Sequence, residues 1–191
     1  MTKLLYFRLA LNNLWKNRQT YLPFLLASTL LTFAMYSFLM ITYNPGLAKV
    51  HGGMQFMTIL SLGIVIIGLF TAIFLFYANS FLIKRRKKEM GLYSILGMEK
   101  KHIARVLFHE LSLTWLLSML LGLGLGILLG RLMFLLIRLA MRIDVPLVGS
   151  VSVTGLVGTV GLFAILYLLL ILYNTWQVRS VDPIALLRGG Q

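Results

Sequence analysis

Four stretches of this sequence run for twenty residues or more without a charged side chain: Tyr21 to Tyr43, Phe56 to Ile83, Leu111 to Gly130, and the long run from Val145 to Val178. A helix needs about 20 apolar residues to cross the ~30 Å hydrocarbon core of a bilayer. Each run is therefore long enough to span one, and no water-soluble domain of 191 residues has a core able to hide all four. Composition agrees. The chain is 59% hydrophobic and 12% charged, against about 45–50% and about 25% in soluble domains. The first run is also too long for the roughly 7–15-residue apolar region of a cleaved signal peptide. The expected fold class is an all-α membrane protein with four transmembrane helices. They are placed at 21–43, 56–83, 108–137 and 151–173.

The basic residues give this bundle a direction. Eighteen Lys and Arg face five Asp and Glu, a formal net charge of +13. On a soluble chain that excess would point to nucleic acid. Here fourteen of the eighteen lie in three segments that four spans place on one side: before span one, between spans two and three, and after span four. By the positive-inside rule both termini and the second loop are expected to be cytoplasmic, with the lipid bilayer as partner and no nucleic acid. Arg85, Arg86, Lys87 and Lys88 are expected to anchor the end of span two at anionic headgroups. The opposite loops, roughly 44–55 and 141–150, are too short to hold a domain.

Residues 1–20 read as an interfacial elbow helix. Leu4, Phe7, Leu11, Leu14 and Trp15 recur at helical spacing, with Lys3, Asn12, Asn13 and Lys16 elsewhere around it. Pro23 is expected in the first turn of span one, where a missing amide donor costs nothing.

Candidate chemistry is sparse. The chain has no cysteine, which removes disulfides, thiolate metal sites and cysteine nucleophiles. His109 and Glu110 stand at the entrance of span three, where headgroups and water are within reach. A metal site there would need further ligands, and His51 and His102 fall on different loops. No G-x-x-x-x-G-K-[ST] loop occurs, so ATP-driven work would need a separate hydrolase. Gly122, Gly126 and Gly130 share one face of span three, and Gly155, Gly158 and Gly161 recur in span four. Such faces allow close helix approach in lipid, either within the four spans or against a second membrane-embedded half.

The segment 84–107 is the most informative. Its basic run is followed by Met90-Gly91-Leu92-Tyr93-Ser94-Ile95-Leu96-Gly97, a short apolar piece bracketed by glycines. Such a knob on a charged cytoplasmic loop is suited to a partner's groove, or else it lies back on the membrane surface.

This loop resembles the one that follows the second span in FtsX-like permeases of ABC transporters, the type VII fold. The tail within 174–191, Ser180-Val181-Asp182-Pro183-Ile184-Ala185-Leu186-Leu187-Arg188, resembles the Pro-x-x-x-Leu-Arg ending of the same family. The short loop between spans one and two is most similar to the first four-span half of Bce-type permeases, which handle bacitracin and lantibiotic-like peptides. The resemblance implies a permease subunit of a bacterial cytoplasmic membrane, itself no enzyme. Its coupling helix between spans two and three seats on cytoplasmic ABC ATPase subunits, expected to be two. On this reading Glu89, Gly91, Leu92, Tyr93, Ile95, Leu96 and Gly97 form the contact. Leu92 and Leu96 are its buried anchors, and Glu89 opens the short helix, where the helix dipole favours a negative charge. ATP and Mg belong to the partner, with no cofactor held by this chain. Further partners would be a second permease half, or the remainder of a longer permease, and a sensor histidine kinase. The alternative function is a non-transporting subunit that passes force to a cell-wall hydrolase or a sensor kinase.

Overall fold

The computed structural model of the protein describes residues 3–46, 52–95, 97–141 and 151–180. These form five helices: α1 (Lys3–Lys16), α2 (Arg18–Thr42), α3 (Gly53–Ile95), α4 (Lys100–Met141) and α5 (Val153–Ser180). No strand occurs among the described residues. Four helices are long and apolar enough to cross a membrane, over Arg18–Thr42, Gly53–Arg86, Lys100–Ala140 and Val153–Val178. The protein is a multi-pass, all-helical membrane protein.

Its helices are longer than the apolar runs that nucleate them. α3 has 43 residues and is about 64 Å long at 1.5 Å per residue, roughly twice the ~30 Å hydrocarbon thickness. The segment expected as a loop over 84–107 is helical as far as Ile95 and again from Lys100. Lys, Arg, Glu, Met and Leu are all good helix formers, and the single Gly91 is too small a penalty to stop a helix already propagating. α5 likewise runs to Ser180, into the segment read as a tail; 181–191 lies outside the described residues.

The helix ends follow local chemistry. Asn17 closes α1 and opens α2: its amide reaches the Asn13 carbonyl at 2.9 Å, and its own carbonyl accepts from Thr20 and Tyr21. α2 therefore begins at Arg18, and Pro23 lies inside it rather than in its first turn. The missing Pro23 amide leaves the Gln19 carbonyl without its helical donor. Ser152 caps α5, its Oγ accepting from the Gly155 amide at 3.0 Å and its carbonyl from Leu156 at 2.9 Å, the expected N-cap arrangement.

Residue contacts cluster into two compact units, each drawing on α2, α3, α4 and α5. The unit made of 27–73 and 117–164 is held by close backbone approach. A Cβ on Gly122 would stand 2.5 Å from Thr32 Cβ and 2.8 Å from the Thr29 carbonyl; one on Gly126 would stand 2.5 Å from the Tyr36 ring, and one on Gly130 2.9 Å from Met40 Sδ. Three glycines at i, i+4, i+8 on α4 thus receive three side chains at the same spacing on α2. Gly158 meets Leu39 and Gly155 the Met40 amide, whereas Gly124 and Gly161 face open space. Ile41 and Phe134 are buried beside them, with Phe56, Met57 and Leu60 packed on top. Much of α3 here is exposed: Ile59, Leu62, Val65, Ile66 and Leu69 each show more than half of their surface, as suits a lipid-facing helix.

The other unit takes residues 1–26, 74–116 and 165–191. Asn79 and Asn174 exchange side-chain hydrogen bonds at 2.7 and 3.1 Å between α3 and α5, and both are almost wholly buried. Two amides that satisfy each other are the inexpensive way to place polar groups between membrane helices. Phe24 and Tyr167 pack with ring centroids 6.3 Å apart, and Phe76 and Tyr173 do the same.

Candidate functional site

The segment that the sequence marks for partner contact is the end of α3 and its turn into α4. Gly97 stops α3. Its φ is +84°, a left-handed conformation that glycine adopts without a steric penalty, and the Met98 amide reaches back to the Tyr93 carbonyl at 2.9 Å. This is the bond that closes a Schellman C-cap. Glu99 stands just before α4, and its carbonyl accepts from the His102 amide at 2.8 Å and the Ile103 amide at 3.3 Å. The Glu99 carboxylate pairs with Lys101, and the hydrogen bond and charge of that ammonium hold its carboxyl below the usual range. Glu99 is thus the acid at a helix N-terminus, where the dipole favours it. Glu89 does not open a helix; it lies deep inside α3.

Of the expected contact residues, Leu92 is 54% exposed, Tyr93 half-buried, Gly97 exposed and Gly91 buried. Leu96 lies outside the described residues, and Ile95 is helical with its side chain outside them. The turn thus presents Leu92 as a large apolar side chain at the end of a run of cations.

Beneath this turn is a buried polar cluster. Arg86 was expected among the headgroup anchors, but it is 3% exposed and points into the protein. Its Nη1 donates to Glu110 Oε2 and to the Tyr21 hydroxyl, and its Nε reaches Glu89 Oε2 at 3.1 Å. Glu110, expected within reach of water, is 1% exposed. Its Oε2 accepts from Tyr21 Oη at 2.7 Å and its Oε1 from Asn13 Nδ2 at 2.9 Å. Asn17 Nδ2, at the α1–α2 joint, lies 3.0 and 3.1 Å from the two Glu89 oxygens. One guanidinium and two carboxylates therefore tie α1, α2, α3 and α4 together. Arg85 behaves differently. It is exposed, with its guanidinium 4.6 Å above the Phe81 ring. The side chains of Lys87 and Lys88 lie outside the described residues.

The apolar residues by which the sequence marks α1 include Leu11 and Trp15, which are 45% and 78% exposed. The face turned inward holds Ala10 and Asn13. The usable signal was Glu110 itself. A carboxylate at the head of an apolar run must find a cation and donors, because leaving it unpaired in that setting is far too costly. Which cation it finds depends on helical phase, which composition does not reveal. Among the described residues no three His, Cys, Asp or Glu side chains gather as a metal site.

The profile described as FtsX-like permease C-terminal matches residues 61–183, well over half of the chain. The chain belongs to the FtsX-like permease family. Its match takes in most of α3, the glycine-capped turn, α4 and α5. Along 93% of its length the chain is 30% identical to a protein named bacitracin export permease protein BceB from Halalkalibacterium halodurans, covering 28% of it. It is 26% identical to the BceB of Bacillus subtilis over 95% of the chain and 28% of that relative. It is also 26% identical, over 96% of the chain and 29% of the relative, to an uncharacterized ABC transporter permease, YvcS, of Bacillus subtilis. The chain spans less than a third of the length of these relatives.

Proposed function

We propose that this FtsX-like segment is the membrane-embedded part of an ABC transporter permease, coupling ATP hydrolysis on a separate cytoplasmic ATPase to the handling of membrane-active peptides or lipid-linked compounds. The observation that carries the reading is the end of α3. A helix roughly twice as long as the bilayer core is thick ends in a glycine-capped turn with an exposed Leu92, on the side richest in cations. By the positive-inside rule that side is cytoplasmic, with both termini. ATP and Mg are held by the partner, of which two copies are expected. The substrate class comes from the names of the bacitracin export relatives.

Mechanically, the buried cluster makes the turn useful. A push on Leu92 passes down α3 to Arg86 and Glu89. From there it reaches α4 through Glu110, α2 through Tyr21, and α1 through Asn13 and Asn17. The charges are held from four helices, so these helix ends move as one body rather than sliding past each other. The remainder of a longer permease, or a second half, completes the transport path, and a sensor histidine kinase is a further partner.

The chain has no cysteine, so Leu92→Cys gives a single thiol. A short thiol-to-amine cross-linker applied to membranes should join position 92 to an ATPase subunit. Products joined only to a hydrolase or kinase would favour a signalling subunit instead, and products limited to lipid would defeat the reading.

A further inference from the structure

A hollow of about 440 Å³ lies between α2 and α3, lined by Pro23, Phe24, Phe74, Tyr77, Phe81 and Arg85 among others. The α3 residues recur at i, i+3, i+7 and i+11, one face of the helix. They extend about 16 Å along it, half of the ~30 Å hydrocarbon thickness. Three of the four are aromatic, and the fourth is a cation where the span ends. Phe24, which also lines the hollow, is buried and packs on Tyr167. Tyr77 and Phe81 are at least half exposed, so the hollow opens sideways.

We propose that this hollow is a binding site for one anionic phospholipid, its phosphate on the Arg85 guanidinium and an acyl chain along Phe81, Tyr77 and Phe74. Length and charge select this occupant. The groove begins at a cation and stops at the depth of a single leaflet, whereas another transmembrane helix would need a face running the whole span. Arg85 lies 4.6 Å over the Phe81 ring, which keeps the guanidinium above the groove while its donor edges stay open to a phosphate. Lys84 beside it is exposed, and the basic run raises the local concentration of anionic headgroups. The site does not depend on the ATPase contact at Leu92, and failure of either leaves the other standing.

The test places a benzophenone-bearing phenylalanine analogue at Tyr77, in the full polypeptide in its own membrane, and reads the mass of the photo-adduct. The expected adduct is phospholipid, enriched about fivefold in phosphatidylglycerol over the bulk membrane, the preference one cation gives at an anionic surface. The Arg85→Gln variant, exposed and outside the buried cluster, returns the adduct to bulk composition. The same probe at Ile66, which is 66% exposed and outside the hollow, takes up lipid at bulk composition. An adduct to another polypeptide segment overturns the proposal. So does bulk composition at Tyr77, enrichment that survives Arg85→Gln, or equal enrichment at Ile66.

Discussion

Arg85 and Arg86 are neighbours in a run of five cations, yet one is exposed and the other is 3% exposed. Helical phase accounts for the difference: a step of about 100° carries Arg86 from the outer surface to the side facing Glu110. The run is legible in the sequence as a basic flank, but which member turns inward is not, because that depends on a carboxylate 24 residues later. Glu89 reads in the sequence as the acid that opens a short helix; its place inside α3 and its contact with Asn17 depend on how far α3 propagates and on the folded elbow. Removing one member of a buried ion pair strands the other, so Arg86→Met or Glu110→Leu alone should each cost about 3–5 kcal/mol of stability. Combining them should recover most of that loss, as read by denaturant unfolding in detergent. Single variants within about 1 kcal/mol of wild type would show that the cluster does not tie the helices.

At the scale of elements, the four spans were readable because apolar runs of 20 or more residues admit few alternatives. Their ends were not, since helix formers such as the Lys84–Met90 segment carry a helix past its apolar part. The glycine face of α4 was also visible, but its partner was not: small-residue spacing says that something approaches, and only the packed bundle shows Thr32, Tyr36 and Met40 of α2 there. Gly122→Ala should therefore destabilise by about 1–3 kcal/mol, because the Thr29 carbonyl 2.8 Å away belongs to the backbone and cannot swing aside. Gly124→Ala, which meets nothing, should be neutral or stabilising by up to about 1 kcal/mol. Equal effects from the two would contradict the packing. At the start of α4, Lys101 depresses the Glu99 carboxyl, so the folded form gains from this pair above the ordinary carboxylate range and loses it as pH falls through the lowered value. The Glu99 titration followed by NMR should move up toward the usual range in Lys101→Ala; no movement would remove Lys101 as the cause.

Over the whole molecule, the proposed sidedness rests on fourteen of eighteen cations, a charge count that needs no side-chain geometry. Thiols introduced one at a time test it cleanly in a chain without cysteine. Lys101→Cys and Tyr43→Cys, both at exposed positions, should react with an impermeant reagent from opposite faces of the membrane, Lys101→Cys from the cytoplasmic one. Labelling of both from one face would break the four-span topology. Partner docking lies beyond any single chain, and the sequence pointed to it through a family resemblance and an apolar knob rather than through packing. The measurement that bears on it most directly is gentle solubilisation of native membranes and isolation of the permease as wild type, Leu92→Asp and Leu96→Asp, with all bound proteins identified. A nucleotide-binding ATPase should accompany the wild type and be lost from Leu92→Asp and Leu96→Asp while their helix content is unchanged. An ATPase equally retained by all three forms, or bound by none, would contradict the docking of an ATPase on the α3–α4 turn.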